Sequence, residues 1–482
     1  MTTHPHPGDL PPEAIRAYLS RAADLAASYL AGGVEGYPVL PPVEPGDVRR
    51  SLPAEPPEEA ETMDAIFDDY RRLIEPNVTH WNHPGFLAYF AITGSAPGVA
   101  AETLAAALNV NAMLWRTGPA AVELEELVCD WVRRMLGLPE TFRGHLNDTA
   151  SSSTLVALAA ARHALPGAEV RRRGLAGRTG LAPLTVYCSD QAHSSVDKAA
   201  LVLGLGTENV RRVASDEEFR MDVGALAAAV AADRASGRRP MAVVATAGTT
   251  STTSVDPLPE IAELCAENGI WLHVDAAYAG SAAVDPELRR RFAGWERADS
   301  IVTNPHKWLF TPIDCSLLYV RDPANLKAAF SLVPEYLESD EDEVTNLMDL
   351  GFQLGRRFRA LKLWMVIRAF GVEGIRRRIR AHCASAERLA ARLAADRRFE
   401  VVAPVPFSVV CFRLAGGDDA ANRRLLAEVN ADGRYLLSHT VLDGRYTLRV
   451  AIGNLRTTER HLDDLFALLV EAAGRRRSGG SR

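Results

Sequence analysis

The chain has 482 residues, more than one usual core can organise, so at least two domains are expected. Hydrophobic residues make up 47% and charged residues 24%, ordinary for a globular protein, and no apolar run is long enough to span a bilayer. The net charge of −7 gives no overall electrostatic case for a nucleic-acid partner.

Met1 to Pro12 lacks the apolar core of a signal peptide. Cys129, Cys188, Cys265, Cys315, Cys383 and Cys411 are scattered without paired spacing. Together these predict a cytoplasmic protein with neither disulfides nor a metal site. From Pro12 to Leu30, Ile15, Tyr18, Leu19, Ala22, Leu25, Ala26 and Tyr29 share one helical face, and Gly32-Gly33 end the helix. Pro38 to Pro57 reads as a Pro-rich connector, and a second helix is expected from about Glu58 to Ile74. A short arm with one apolar stripe cannot bury that stripe alone.

From about Pro97 to Val320, helices alternate with short apolar strands such as Leu184–Cys188, Ala242–Thr246, Ile270–Val274 and Ser300–Thr303. This alternation predicts an α/β fold with a mainly parallel sheet covered on both faces. Asp148-Thr149-Ala150-Ser151-Ser152-Ser153-Thr154 opens an Ala/Leu helix, so free backbone N–H groups and the helix dipole converge on one point suited to a phosphate. Arg171 to Arg178 reads as a surface loop. His193, in Ser189-Asp190-Gln191-Ala192-His193-Ser194-Ser195, lies just past a strand, where an imidazole can cover a flat ligand.

His273-Val274-Asp275-Ala276-Ala277 then delivers a carboxylate at the end of a buried strand, followed by small residues. Asn304-Pro305-His306-Lys307-Trp308 does the same with an amine, and Asp314 to Val320 returns as a further strand. Burial favours a neutral lysine, as Schiff-base chemistry requires. Pyridoxal phosphate enzymes place a carboxylate on the pyridine nitrogen, which fits Asp275, with Lys307 as the Schiff-base residue. After Leu332 comes Tyr336, followed by an acidic run that cannot pack in a core. A long helix is expected from near Gly355, then strands at Glu400–Cys411, Tyr435–Ser438 and Tyr446–Ala451.

The segments DTASSSTLVAL, SDQAHSS, WLHVDAAYAG, NPHKWL and GRRFRALKLW resemble the group II pyridoxal phosphate decarboxylases, nearest to the aromatic-L-amino-acid decarboxylases. The resemblance extends to VEPGDVRRSLP, VTHWNHPGFLAYF, LVPEYL and RYTLRVAI, and so to nearly the whole chain. It implies the fold type I architecture, with a helical arm and dimerisation segment at 1–95 and a large cofactor domain at 96–360. A smaller α+β domain at 361–474 and a disordered tail at 475–482 follow. It also implies a homodimer completed across its interface, acting on a small-molecule amino-acid substrate. Lys307 would hold the cofactor, Asp275 its ring nitrogen, and His193 would stack on the ring and orient the substrate carboxylate. Ala150, Ser151, Asn304 and His306 match positions around the phosphate, Thr250 and Ala277 positions near the ring, and Tyr336 the catalytic tyrosine of a loop closing over the neighbouring subunit's site.

Trp81, Tyr89 and Gly355 match substrate-pocket positions. Ile92 replaces a common threonine, while Asn111 and Met113 replace an apolar residue and a phenylalanine. The expected reaction is decarboxylation of tryptophan, phenylalanine, tyrosine or dihydroxyphenylalanine to the amine. The alternatives are an aldehyde-forming relative and a glutamate- or diaminobutyrate-type decarboxylase.

Overall fold

The computed structural model describes residues 9–332 and 344–478. Seven strands build the larger sheet: β1 (Arg143–Asn147), β2 (Leu184–Ser189), β3 (Val210–Val213), β4 (Arg239–Thr246), β5 (Trp271–Asp275), β6 (Ser300–Thr303) and β7 (Ser316–Val320). Their order is β1-β7-β6-β5-β4-β2-β3. Only β7 runs against its neighbours. β2, β6 and β7 are buried at every position, which is why they read as continuous apolar runs. Helices Pro119–Leu136 and Leu258–Asn268 feed the apolar cluster on one face, and helices Ala150–Ala164 and Ser195–Val202 feed those on the other.

The smaller sheet is antiparallel, with β8 (Phe399–Val401), β9 (Val409–Leu414), β10 (Ser438–Leu442) and β11 (Arg445–Ala451) in the order β10-β11-β9-β8. The helix Ala360–Ala395 joins the two units and breaks at Gly371, whose φ is 65°. Its residues up to Cys383 pack in the large-sheet cluster and those from Ala386 in the small-sheet cluster. The apolar allegiance therefore changes inside the helix rather than at residue 361.

Several boundaries move. The single strand expected at Glu400–Cys411 is two, because Pro404 and Pro406 cannot donate to a ladder. β10 begins where the strand expected at Tyr435–Ser438 was to end, and Asp443-Gly444, both at positive φ, turn it into β11. The second helix starts at Met63, capped by Thr62, because the acidic stretch before it stays exposed. A short helix, Asp47–Ser51, interrupts the connector, and another, Val170–Arg173, occupies part of the expected surface loop. The long helix begins at Ala360 rather than near Gly355. The last helix, Glu459–Ser478, continues past residue 474, where the tail was expected.

The arm helix occupies Pro12–Leu30 as expected and buries none of its residues against the chain's own body. All six cysteines are free and buried. No helix of the described residues is long and apolar enough to cross a membrane.

Candidate active site

β5 and β6 are parallel neighbours, and the ladder runs beyond both: Ala276 N–H donates to Val302 O at 2.9 Å and Asn304 N–H to Ala277 O at 3.0 Å. This draws the loops after the two strands together at the carboxyl edge of the sheet. Asp275 ends β5, and its Oδ1 accepts Ala277 N–H at 3.1 Å. After β6, Asn304 opens the single turn Pro305–Trp308, with Lys307 N–H donating to Asn304 O at 2.9 Å.

Trp308 anchors that turn. Its indole is fully buried, donates to His382 Nδ1 at 2.9 Å and stacks on Tyr278 at 4.6 Å. Tyr278 in turn stacks on Phe90 at 3.8 Å. Lys307 Nζ lies 5.2 Å over the Phe90 ring. Burial lowers the Lys307 pKa, Asp275 opposes that shift, and Arg449 adds to it.

His193 follows β2 and accepts Ser195 N–H on Nδ1 at 3.1 Å, which leaves the proton of the neutral ring on Nε2. Its pKa is lowered, chiefly by the protein around it, although the residue keeps an exposed surface. His306 is fixed the same way, Cys315 N–H donating to its Nδ1 at 2.9 Å, and burial pushes its pKa down to about 3. Both imidazoles are therefore neutral donors near pH 7.

These residues suit pyridoxal phosphate. Asn304 is 2% exposed, and its Oδ1 has no partner within the chain, so a polar group from elsewhere fits there. The helix Ala150–Ala164 opens with Ala150 and Ser151, whose N–H groups have no intrahelical acceptor. Asp275 supplies an acceptor for a ring N–H and Lys307 an amine for an aldehyde. Ala277 is half-buried between Asp275 and Asn304, and Thr250 is exposed on the loop after β4.

The substrate-pocket candidates divide into two groups. Trp81 stacks on Tyr89 at 5.8 Å and packs on Phe86 at 4.2 Å. Tyr89 is 57% exposed and Ile92 half-buried, and Phe90 between them meets Lys307. Asn111, Met113 and Gly355 form a second group. Asn111 Oδ1 accepts Arg356 N–H at 2.9 Å, Asn111 Nδ2 donates to Met113 Sδ at 3.3 Å, and Met113 O accepts Met348 N–H at 3.1 Å. No hydrogen bond or ring contact among the described residues joins this second group to Lys307. A Cβ on Gly355 would meet open space. Tyr336 lies outside the described residues.

Arg356 holds the Gly355 turn to the body. Its guanidinium donates to Glu125 Oε1 and to Leu146 O, both at 2.6 Å, and Glu125 also accepts Leu146 N–H. Both side chains are 2% exposed. Arg356→Met is expected to destabilise the protein by about 3–5 kcal/mol in denaturant unfolding, because it strands a buried carboxylate. Adding Glu125→Leu to that variant should recover part of the loss. A melt unchanged by the single replacement would show the pair to be idle.

Sequence reasoning missed Arg449 and Phe90. Arg449, on β11, is 3% exposed and donates to Ala88 O at 2.8 Å and Ser251 O at 3.1 Å. Its guanidinium lies 4.7 Å over Phe90. An arginine in the middle of an apolar strand was the available signal. A cavity of about 650 Å³ lies elsewhere, lined by Arg133, Arg134, Arg143 and Lys327 with acidic neighbours. None of the candidate residues lines it, so size alone does not mark the site.

Comparison with known proteins bears on this arrangement. The pyridoxal-dependent decarboxylase conserved domain matches residues 45–415. Tryptophan decarboxylase 2 of Oryza sativa subsp. japonica is 42% identical over 96% of this chain and 95% of its own length. Phenylacetaldehyde synthase of Arabidopsis thaliana is 41% identical over 96% of both chains. The crystal structure of Oryza sativa TDC with PLP and tryptamine superposes with a TM-score of 0.93 at 39% identity, covering 98% of this chain and 99% of that one.

Proposed function

Because the chain belongs to the pyridoxal-dependent decarboxylases, we propose that this carboxy-lyase takes an aromatic L-amino acid and releases CO2 and the corresponding amine. The observation that carries the reading is the meeting of Lys307, Asp275 and His193 at the carboxyl edge of β2, β5 and β6. When bound, pyridoxal phosphate supplies a ring that accepts the electron pair released as the bond from Cα to the carboxylate breaks.

The side chains hold and aim the reactants. Lys307 supplies the amine that tethers the cofactor aldehyde, and Asp275 keeps the ring nitrogen protonated. Ala150 and Ser151 at the helix N-terminus, with Asn304 and the neutral His306, receive the phosphate. Thr250 and Ala277 border the ring. His193, neutral and donating from Nε2, would lie over the bound ring and hold the substrate carboxylate. Trp81, Tyr89 and Ile92 offer a flat apolar wall to an aromatic side chain.

The remaining candidates are assigned to a homodimer. The arm's unburied face and the exposed Leu104, Leu108, Phe352 and Leu354 support such an interface. Met113 and Gly355 then border the neighbouring subunit's substrate, and Tyr336 arrives there to protonate Cα. A division into a large and a smaller domain is supported by the separate apolar clusters of the two sheets, which change over between Cys383 and Ala386. Six buried thiols without a disulfide support the cytoplasm as the compartment.

An aldehyde-forming relative and an amine-forming one are almost equally similar to this chain, so identity does not decide the product. Tyr336 and His193, both of the amine-forming type, favour decarboxylation alone. Borohydride reduction and peptide mapping should find the reduced cofactor on Lys307, and recovery on another lysine would overturn the assignment. At least one of tryptophan, phenylalanine, tyrosine and dihydroxyphenylalanine should yield amine without peroxide. Turnover confined to glutamate or diaminobutyrate would sink the aromatic reading.

A further inference from the structure

Arg449 is a buried cation in which two of the three guanidinium nitrogens have an acceptor. Nε and Nη1 are taken by the Ser251 and Ala88 carbonyls, while Nη2 has no partner. Among the described residues, no carboxylate pairs with it. The acidic groups that act on it are Cys411 and Tyr278, whose pKa values burial raises, and Tyr89. A buried charge without a counter-ion is costly, so its field acts on whatever else is nearby.

Lys307 is nearby. Both side chains lie over the Phe90 ring, the Arg449 guanidinium at 4.7 Å and the Lys307 amine at 5.2 Å. One face of that ring is already covered by Tyr278 at 3.8 Å. The charge reaches this point by a specific route. Arg449 stands on β11 of the small sheet, Ala88 belongs to the segment carrying Trp81 and Tyr89, and Ser251 belongs to the loop carrying Thr250. Cys411 Sγ adds a second donor to the Ser251 carbonyl at 3.3 Å. Three separate stretches of chain are fastened beside the amine.

We propose that Arg449 is a positioning residue of the reaction, clasping these three segments and bringing an unneutralised positive charge onto the aromatic platform of Lys307 so that the lysine amine stays neutral and nucleophilic. The other groups that face Lys307 are Asp275, which favours the charged amine, and the imidazoles of His193 and His306, which are neutral near pH 7. Burial acts in the same direction as Arg449 and is the larger influence. The proposal rests on Lys307 being the cofactor lysine.

The test reads the amine itself. Full-length protein freed of cofactor by hydroxylamine is trace-labelled with acetic anhydride from neutral to alkaline pH. Labelling of Lys307 and of the exposed Lys327 is followed by peptide mapping. In the parent, Lys307 should titrate below Lys327, and coincident titrations would overturn the proposal without any variant. Arg449→Gln should raise the Lys307 half-point by about one pH unit and cut its labelling at neutral pH about tenfold. Cys411→Asp, which gives Arg449 a counter-ion, should act in the same direction, and Arg449→Lys should stay near the parent. An unmoved Lys307 profile in folded Arg449→Gln or Cys411→Asp would refute the coupling. If borohydride mapping of the parent lands on another lysine while the Lys307 profile shifts, the coupling stands and only the site assignment falls.

Discussion

Lys307→Ala is expected to abolish amine formation while leaving the protein folded. The side chain makes no hydrogen bond among the described residues, and its removal relieves a desolvated amine beside Arg449. The loss of activity should exceed the ~100- to 10,000-fold typical of one general acid, because both the tether and the nucleophile disappear. The variant should still bind pyridoxal phosphate reversibly through Asp275, Asn304 and the Ala150 helix terminus. An added small primary amine should recover part of the turnover. Amine production within tenfold of the parent would remove Lys307 from the mechanism.

Tyr336→Phe should retain fold, cofactor and substrate binding but lose about 100- to 10,000-fold in amine formation, since phenylalanine keeps the ring and loses only the hydroxyl that carries the acidic proton. Substrate that has lost CO2 and cannot be protonated at Cα would be open to dioxygen, so the residual product should shift towards aldehyde with ammonia and peroxide. Mixing Lys307→Ala chains with Tyr336→Phe chains tests whether the loop serves the opposite subunit: heterodimers should regain activity that neither parent has. A phenylalanine variant that still makes amine near the parent rate would remove the main reason for preferring a decarboxylase to an aldehyde synthase.

The sequence is most informative where chemistry and local structure share the same few residues. Asp275 and Lys307 each end a buried apolar strand, so strand, turn and reactive group are read together within a short window. The arm helix was legible for the same reason, its stripe and its closing glycines being adjacent. Arg449 was not legible, because its acceptors stand 361 and 198 residues away and only the fold brings them to one ring. The division of the substrate candidates was hidden too. Trp81 and Gly355 carry similar pocket signals, yet hydrogen bonds through Arg356 tie the Gly355 turn to Asn111 and β1, while Trp81 packs in the aromatic group beside Phe90. The twin strands β8 and β9 were merged by an apolar pattern that ignored the missing N–H groups of Pro404 and Pro406.

The six buried thiols have a meaning beyond the compartment they suit. Burial pushes Cys188, Cys265, Cys315, Cys383 and Cys411 up to about 12 and Cys129 well above its usual range, so the folded chain offers almost no thiolate to an alkylating reagent. Each sulfur can react only after the layer above it parts. Cys188 belongs to β2, Cys411 to β9, and Cys383 to the helix that spans the two sheets. The order in which they are alkylated during slow denaturation is therefore a chronology of disassembly, written at fixed places in the chain without any added label.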